Sequence, residues 1–117
     1  MPFAWGSFDC ALFGADAVLA LTGEDPASEY RGTYHTAIGA SAALQRVCGG
    51  GLVEAIERNG WRECCPALAR RGDVGITNSP QGPAVAVCLG KVWAVPRVGS
   101  GLTKICRHDI TRAWRIG

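Results

Sequence analysis

The hydrophobic period of this chain changes once, at Asn59-Gly60, and that change restricts the folds open to it. Before it, apolar residues recur at helical spacings. From Asp9 to about Leu21 they are Ala11, Leu12, Ala15, Val18, Leu19 and Leu21, a nearly continuous face that predicts a first helix. Gly23 suits its left-handed stop. Glu24 to Tyr30 reads as a turn with at most one helical turn, because Pro26 suits a first helical position. A second helix is predicted from about Thr36 to Val47, burying Ala37, Ala40, Ala43, Leu44 and Val47, small residues that permit close packing on the first helix. Gly49-Gly50-Gly51 breaks it. A short third helix, Leu52 to Arg58, then ends at Asn59-Gly60.

Beyond Gly60 the pattern is strand-like, beginning at Trp61-Arg62-Glu63-Cys64, with irregular loops at Pro66 and at Pro80-Gln81-Gly82-Pro83. Candidate strands are Val74 to Thr77, Ala84 to Leu89, Lys91 to Val95, Leu102 to Cys106 and Thr111 to Arg115, and Gly90-Lys91 reads as a tight hairpin turn. Helices followed by short antiparallel strands predict an α+β fold, with the N-terminal helices packed on one small antiparallel sheet. A length of 117 residues fits a single domain, residues 1–117.

Charge and cysteine content exclude several functions. A net charge of +2 with scattered basic residues argues against a nucleic-acid partner; Arg70-Arg71 is not extended on either side. No apolar run approaches the roughly eighteen residues of a membrane span, and Met1-Pro2-Phe3-Ala4-Trp5 lacks the features of a signal peptide. The expectation is a chain made in the cytoplasm that stays there unless carried. The six cysteines (Cys10, Cys48, Cys64, Cys65, Cys88 and Cys106) are expected as reduced thiols. They contain no C-x-x-C pair, and adjacent Cys64-Cys65 is poor geometry for holding one zinc with both sulfurs. No metal and no cofactor are expected, an iron–sulfur cluster assembled from distant loops being the alternative left open.

One cysteine stands apart by position. Asp9 can cap the first turn of the first helix, with Ser7 the alternative, which puts Cys10 where the helix dipole favours a thiolate. A cysteine hydrolase needs such a residue with a histidine beside it. A small apolar residue packed under the helix is the competing reading.

The stretch Trp5-Gly6-Ser7-Phe8-Asp9-Cys10-Ala11-Leu12-Phe13, followed by Ala15-Asp16-Ala17-Val18, resembles the nucleophile helix of the NlpC/P60 group of papain-like cell-wall peptidases. Tyr30-Arg31-Gly32-Thr33-Tyr34, Arg71-Gly72-Asp73-Val74, Ala86-Val87-Cys88-Leu89-Gly90 and Arg112-Ala113-Trp114-Arg115-Ile116 extend the resemblance over nearly the whole chain. It is closer still to short members of that group encoded among tail genes of phages, prophages and gene transfer agents. The resemblance implies a Cys helix against a small twisted sheet, and residence in a virion tail after synthesis in the host cytoplasm.

In active members of the group, a histidine base opens the strand after the Gly-Asp-Val segment, and a polar residue on the next strand orients it. Here that position falls on Ala84, with Pro83 beside it. Neither can take a proton. Helix-dipole stabilisation of about 0.3–1 kcal/mol does not replace an imidazole that also protonates the leaving amine. His35 and His108 lie elsewhere in the chain. If the inferred packing holds, Cys10 and Cys88 lie near each other at the remnant of the site. The resemblance and the missing histidine together point to a pseudoenzyme, a structural component of a phage tail tip that binds tail hub proteins. The competing expectation is a virion-borne peptidoglycan peptidase or amidase using Cys10 with His35 or His108. Exposed aromatic and arginine side chains would form the partner surface, with Trp5, Trp114, Arg112 and Arg115 the candidates and Trp114 the least enclosed.

Overall fold

The helix signals act where they were read, in a computed structural model that describes residues 9–79, 82–97 and 101–116. Helix α1 (Cys10–Thr22) is capped by Asp9, whose side chain accepts the Leu12 N–H at 3.0 Å, and it stops at Gly23, where φ is 80°. Ser7, the alternative cap, lies outside the described residues. Helix α2 (Ala37–Cys48) is capped by Thr36 and ends at Gly49. Helix α3 (Leu52–Glu57) is fastened by Glu54 reaching back to the Gly51 N–H at 2.7 Å.

Helix α2 buries Ala40, Ala43 and Leu44, whereas Ala37, expected inside, is exposed in its first turn. Those small residues join Leu12 and Ala15 of α1 in a cluster completed by Ala27, Tyr30 and Tyr34 of the intervening segment. Arg31 binds this segment to α1, reaching Asp16 at 2.8 Å and Asp25 at 2.9 Å.

The strands are β1 (Arg62–Cys64), β2 (Val74–Ser79), β3 (Gly82–Cys88), β4 (Trp93–Arg97), β5 (Gly101–Ile105) and β6 (Ile110–Arg115). They form one antiparallel sheet in the order β1-β6-β2-β3-β4-β5. The expected hairpin joins β3 to β4, with the Leu89 N–H bonded to the Val92 carbonyl at 2.8 Å and Gly90 at a φ of 106°. The last strand returns to lie one strand in from the edge, between β1 and β2.

Both sheet faces are buried. Val74, Ile76, Val85, Val87 and Trp114 meet Val18 and Ile56 on the helix side. Ala84, Ala86, Cys88, Trp93, Val95, Ile110 and Ala113 form a second core on the other side. Two short 3-10 turns, Pro66–Leu68 after β1 and Arg107–Asp109 after β5, meet each other, so the sheet curls until segments from its opposite edges touch. Gly75 permits this curvature: a Cβ there would stand 2.9 Å from the Trp93 ring and 2.9 Å from the Arg112 carbonyl oxygen.

Candidate functional site

The start of α1 is organised by a buried carboxylate. Asp9 is 1 % exposed; besides capping Leu12, it receives the Tyr34 hydroxyl hydrogen bond at 2.6 Å. Tyr34 is itself buried, and its neighbour Tyr30, packed in the same cluster, has its phenol pushed up to about 12 by burial. Cys10 is the first residue of α1, as the cap predicts; its side chain lies outside the described residues. Trp5 lies outside them altogether.

Helix α1 runs in the same direction as β3. Gly14 lies so close over Val85 that a Cβ would come within 2.6 Å of its Cγ1. One helical stretch later, Leu21 touches Gly72, whose N–H bonds the Cys88 carbonyl at 2.9 Å. The first turn of α1 therefore lies toward the Gly82 end of β3.

Strand alternation decides which β3 residues face that helix. Val85 and Val87 do. Ala84, the position of the base in the resembled peptidases, is turned to the opposite core together with Ala86 and Cys88 and is 6 % exposed. Across from Ala84, Thr77 is buried and its hydroxyl donates to the Asp109 carbonyl at 2.7 Å. The expected proximity of Cys88 to the start of α1 is corrected by the same alternation. Cys88 lies on the face away from α1 and at the far end of β3, with its sulfur accepting the Gly90 N–H at 3.4 Å.

The two histidines sit on different segments. His35 is exposed in the segment that places its neighbour Tyr34 against Asp9. His108 sits in the turn after β5, in a groove shared with Gly90, Lys91 and Trp93. The next residue, Asp109, accepts the Thr77 hydroxyl across from Ala84, and Trp93 of the groove belongs to the core on the face of the sheet away from α1. His108 is therefore grouped with the face of the sheet away from α1.

The expectation that Trp114 is the least enclosed of these side chains is corrected as well. Trp114 is 2 % exposed because β6 lies inside the sheet, flanked by β1 and β2. Arg112 lies 4.9 Å over its ring and pairs with Glu63 at 2.7 Å and Glu57 at 3.3 Å. The Arg112 guanidinium holds the Glu63 carboxyl below its usual value. Arg115 donates to the Leu68 carbonyl at 3.0 Å and lies beside buried Asp73. These side chains tie the helices and turns to the sheet.

The other motif pieces also have structural work. Thr33 donates to the Tyr30 carbonyl at 2.7 Å and Gly32 takes a φ of 75°, which seats Tyr30 and Tyr34. Asp73 accepts the N–H groups of Arg70 and Ile116, joining the loop before β2 to the end of the chain's last strand. The Asp9–Tyr34 pair was not anticipated; the Asp9 cap was readable, but its second partner is twenty-five residues away. Among the described residues, no three His, Cys, Asp or Glu side chains are grouped to hold a metal ion. No described helix is long and apolar enough to cross a membrane.

The chain belongs to the family described as Domain of unknown function (DUF6950), whose model matches residues 1–116. No curated protein and no solved structure matches it.

Proposed function

We propose that this DUF6950 member is a catalytically degenerate NlpC/P60-like domain that acts as an assembly component of a phage-type tail tip, bound to tail hub proteins. The observation that carries the reading is the environment of β3. The base position is Ala84, buried in an apolar core, and the strand turns Val85 and Val87 toward the Cys10 helix. A thiol without a base is only a few per cent ionised near neutral pH, and no group on that strand can protonate a leaving amine. The retained motif pieces support a scaffold role, because the Tyr30–Tyr34 segment and the loop around Asp73 hold helices and strands together.

The test uses the full chain. Incubated with purified peptidoglycan, wild type and Cys10→Ala are expected to release equal, background amounts of soluble fragments. Purified virions are expected to contain the chain in fixed stoichiometry with hub proteins by quantitative mass spectrometry. Cys10-dependent fragment release would instead establish the competing activity, a virion-borne peptidoglycan peptidase or amidase. Absence of the chain from virions would remove the tail assignment.

A further inference from the structure

A groove lined by Trp93, on the face of the sheet away from α1, holds a thiol and an imidazole that the proposed assembly role does not use. Cys106 and His108 flank one residue of the turn after β5; both are exposed, and His108 Nδ1 lies 3.9 Å from Cys106 Sγ. Their groove has a volume of about 380 Å³, within the roughly 300–1,000 Å³ range of small-molecule sites. Its walls combine Pro66, Ala67 and Trp93 with two cationic residues, Lys91 and Arg107. The groove depends on the curled sheet, since Pro66 follows β1 and Cys106 follows β5, the two edge strands.

We propose that Cys106 is a thiol–disulfide exchange site for small anionic disulfides, with His108 as its proton acceptor. In the tautomer protonated at Nε2, the free Nδ1 takes the proton from Cys106. The resulting thiolate attacks one sulfur of the bound disulfide. A Cys106–sulfur bond forms, the original sulfur–sulfur bond breaks, and the departing thiolate takes the proton back from the imidazolium. The incoming disulfide is the oxidant, and the products are a mixed disulfide on Cys106 and one free small thiol. Lys91 and Arg107 favour carboxylate-bearing disulfides electrostatically, while Pro66, Ala67 and Trp93 supply apolar walls.

The experiment follows a full-length chain carrying Cys10→Ser and Cys65→Ser, which removes the α1 cysteine and the other exposed cysteine. Its reaction with dithiobis(nitrobenzoate), a dianionic aromatic disulfide, is timed at neutral pH against N-acetylcysteine. Cys106 is expected to react about fivefold or more faster than the free thiol, which is mostly protonated under these conditions. Adding His108→Gln is expected to remove that advantage. Lys91→Gln with Arg107→Gln is expected to slow the dianionic reagent while leaving the neutral reagent dithiodipyridine unaffected. Wild-type protein exposed to glutathione disulfide is expected to carry one glutathionyl group, on the Cys106 peptide. Equal rates with and without His108, or an adduct confined to other cysteines, would overturn the proposal. Circular dichroism of each variant separates loss of reactivity from loss of fold.

Discussion

The Tyr34 hydroxyl donates to the buried Asp9 carboxylate at 2.6 Å, joining the segment before α2 to the residue that caps the Cys10 helix. One carboxylate thereby fixes the start of α1 and the position of α2's approach. Removing the hydroxyl with Tyr34→Phe is expected to cost about 1.5–3 kcal/mol, the range for hydrogen bonds to charged groups. Asp9→Ala is expected to cost at least as much, since it also removes the cap, typically worth about 1 kcal/mol. Urea unfolding of the single and double variants measures the coupling. Strict additivity would show that the pair does not cooperate.

Gly14 packs against Val85, leaving no room for a methyl group. Alanine normally improves a helix interior by roughly 1 kcal/mol over glycine. Here Gly14→Ala is expected to destabilise by about 1–3 kcal/mol through overpacking. Combining it with Val85→Ala should be less harmful than the sum of the two changes, as read from thermal or denaturant midpoints, because the truncated valine vacates the space the new methyl needs.

Trp114 is expected to behave as core. Trp114→Ala should lower stability by about 3–5 kcal/mol, the range for deleting a buried large aromatic ring. Arg112→Ala should have a much smaller effect, because its ion pairs are partly exposed. A stable, fully folded Trp114→Ala protein would contradict the position of β6 inside the sheet.

The Arg31 network gives an acid-dependent contribution. Arg31 donates to both carboxylate oxygens of Asp25, at 2.9 and 3.1 Å, and holds that carboxyl below its ordinary 3.8. Because the folded value is the lower one, the stabilisation is present in full above the unfolded value and is lost as pH falls through the folded value. Arg31→Gln is expected to be less stable than wild type at neutral pH by about 1 kcal/mol or less, with the gap narrowing in acid. An NMR titration of Asp25 in both proteins should show its midpoint rising in the variant.

The local signals were legible because each acts through adjacent backbone. Gly23, Gly49 and Gly60 carry φ values of 80°, 76° and 74° where the helical patterns end, and Asp9 caps α1 from the residue before it. The strand pattern likewise located the Gly90 turn. Alternation alone could not identify which face of β3 meets α1, so the resemblance to the peptidases pointed to Ala84 without revealing that it faces the opposite core.

The sequence by itself determined an α+β order of helices and strands, their stops, and a cysteine at the first position of a capped helix. Tertiary structure decided that β6 lies inside the sheet between β1 and β2 and buries Trp114, that Tyr34 bonds Asp9, and that the two edges curl to bring Cys106, His108 and Pro66 around one groove. Caps and left-handed stops are settled within a few residues of chain. Strand neighbours and buried faces are settled by which distant apolar surfaces exclude water together, and that choice has no signature in any single stretch.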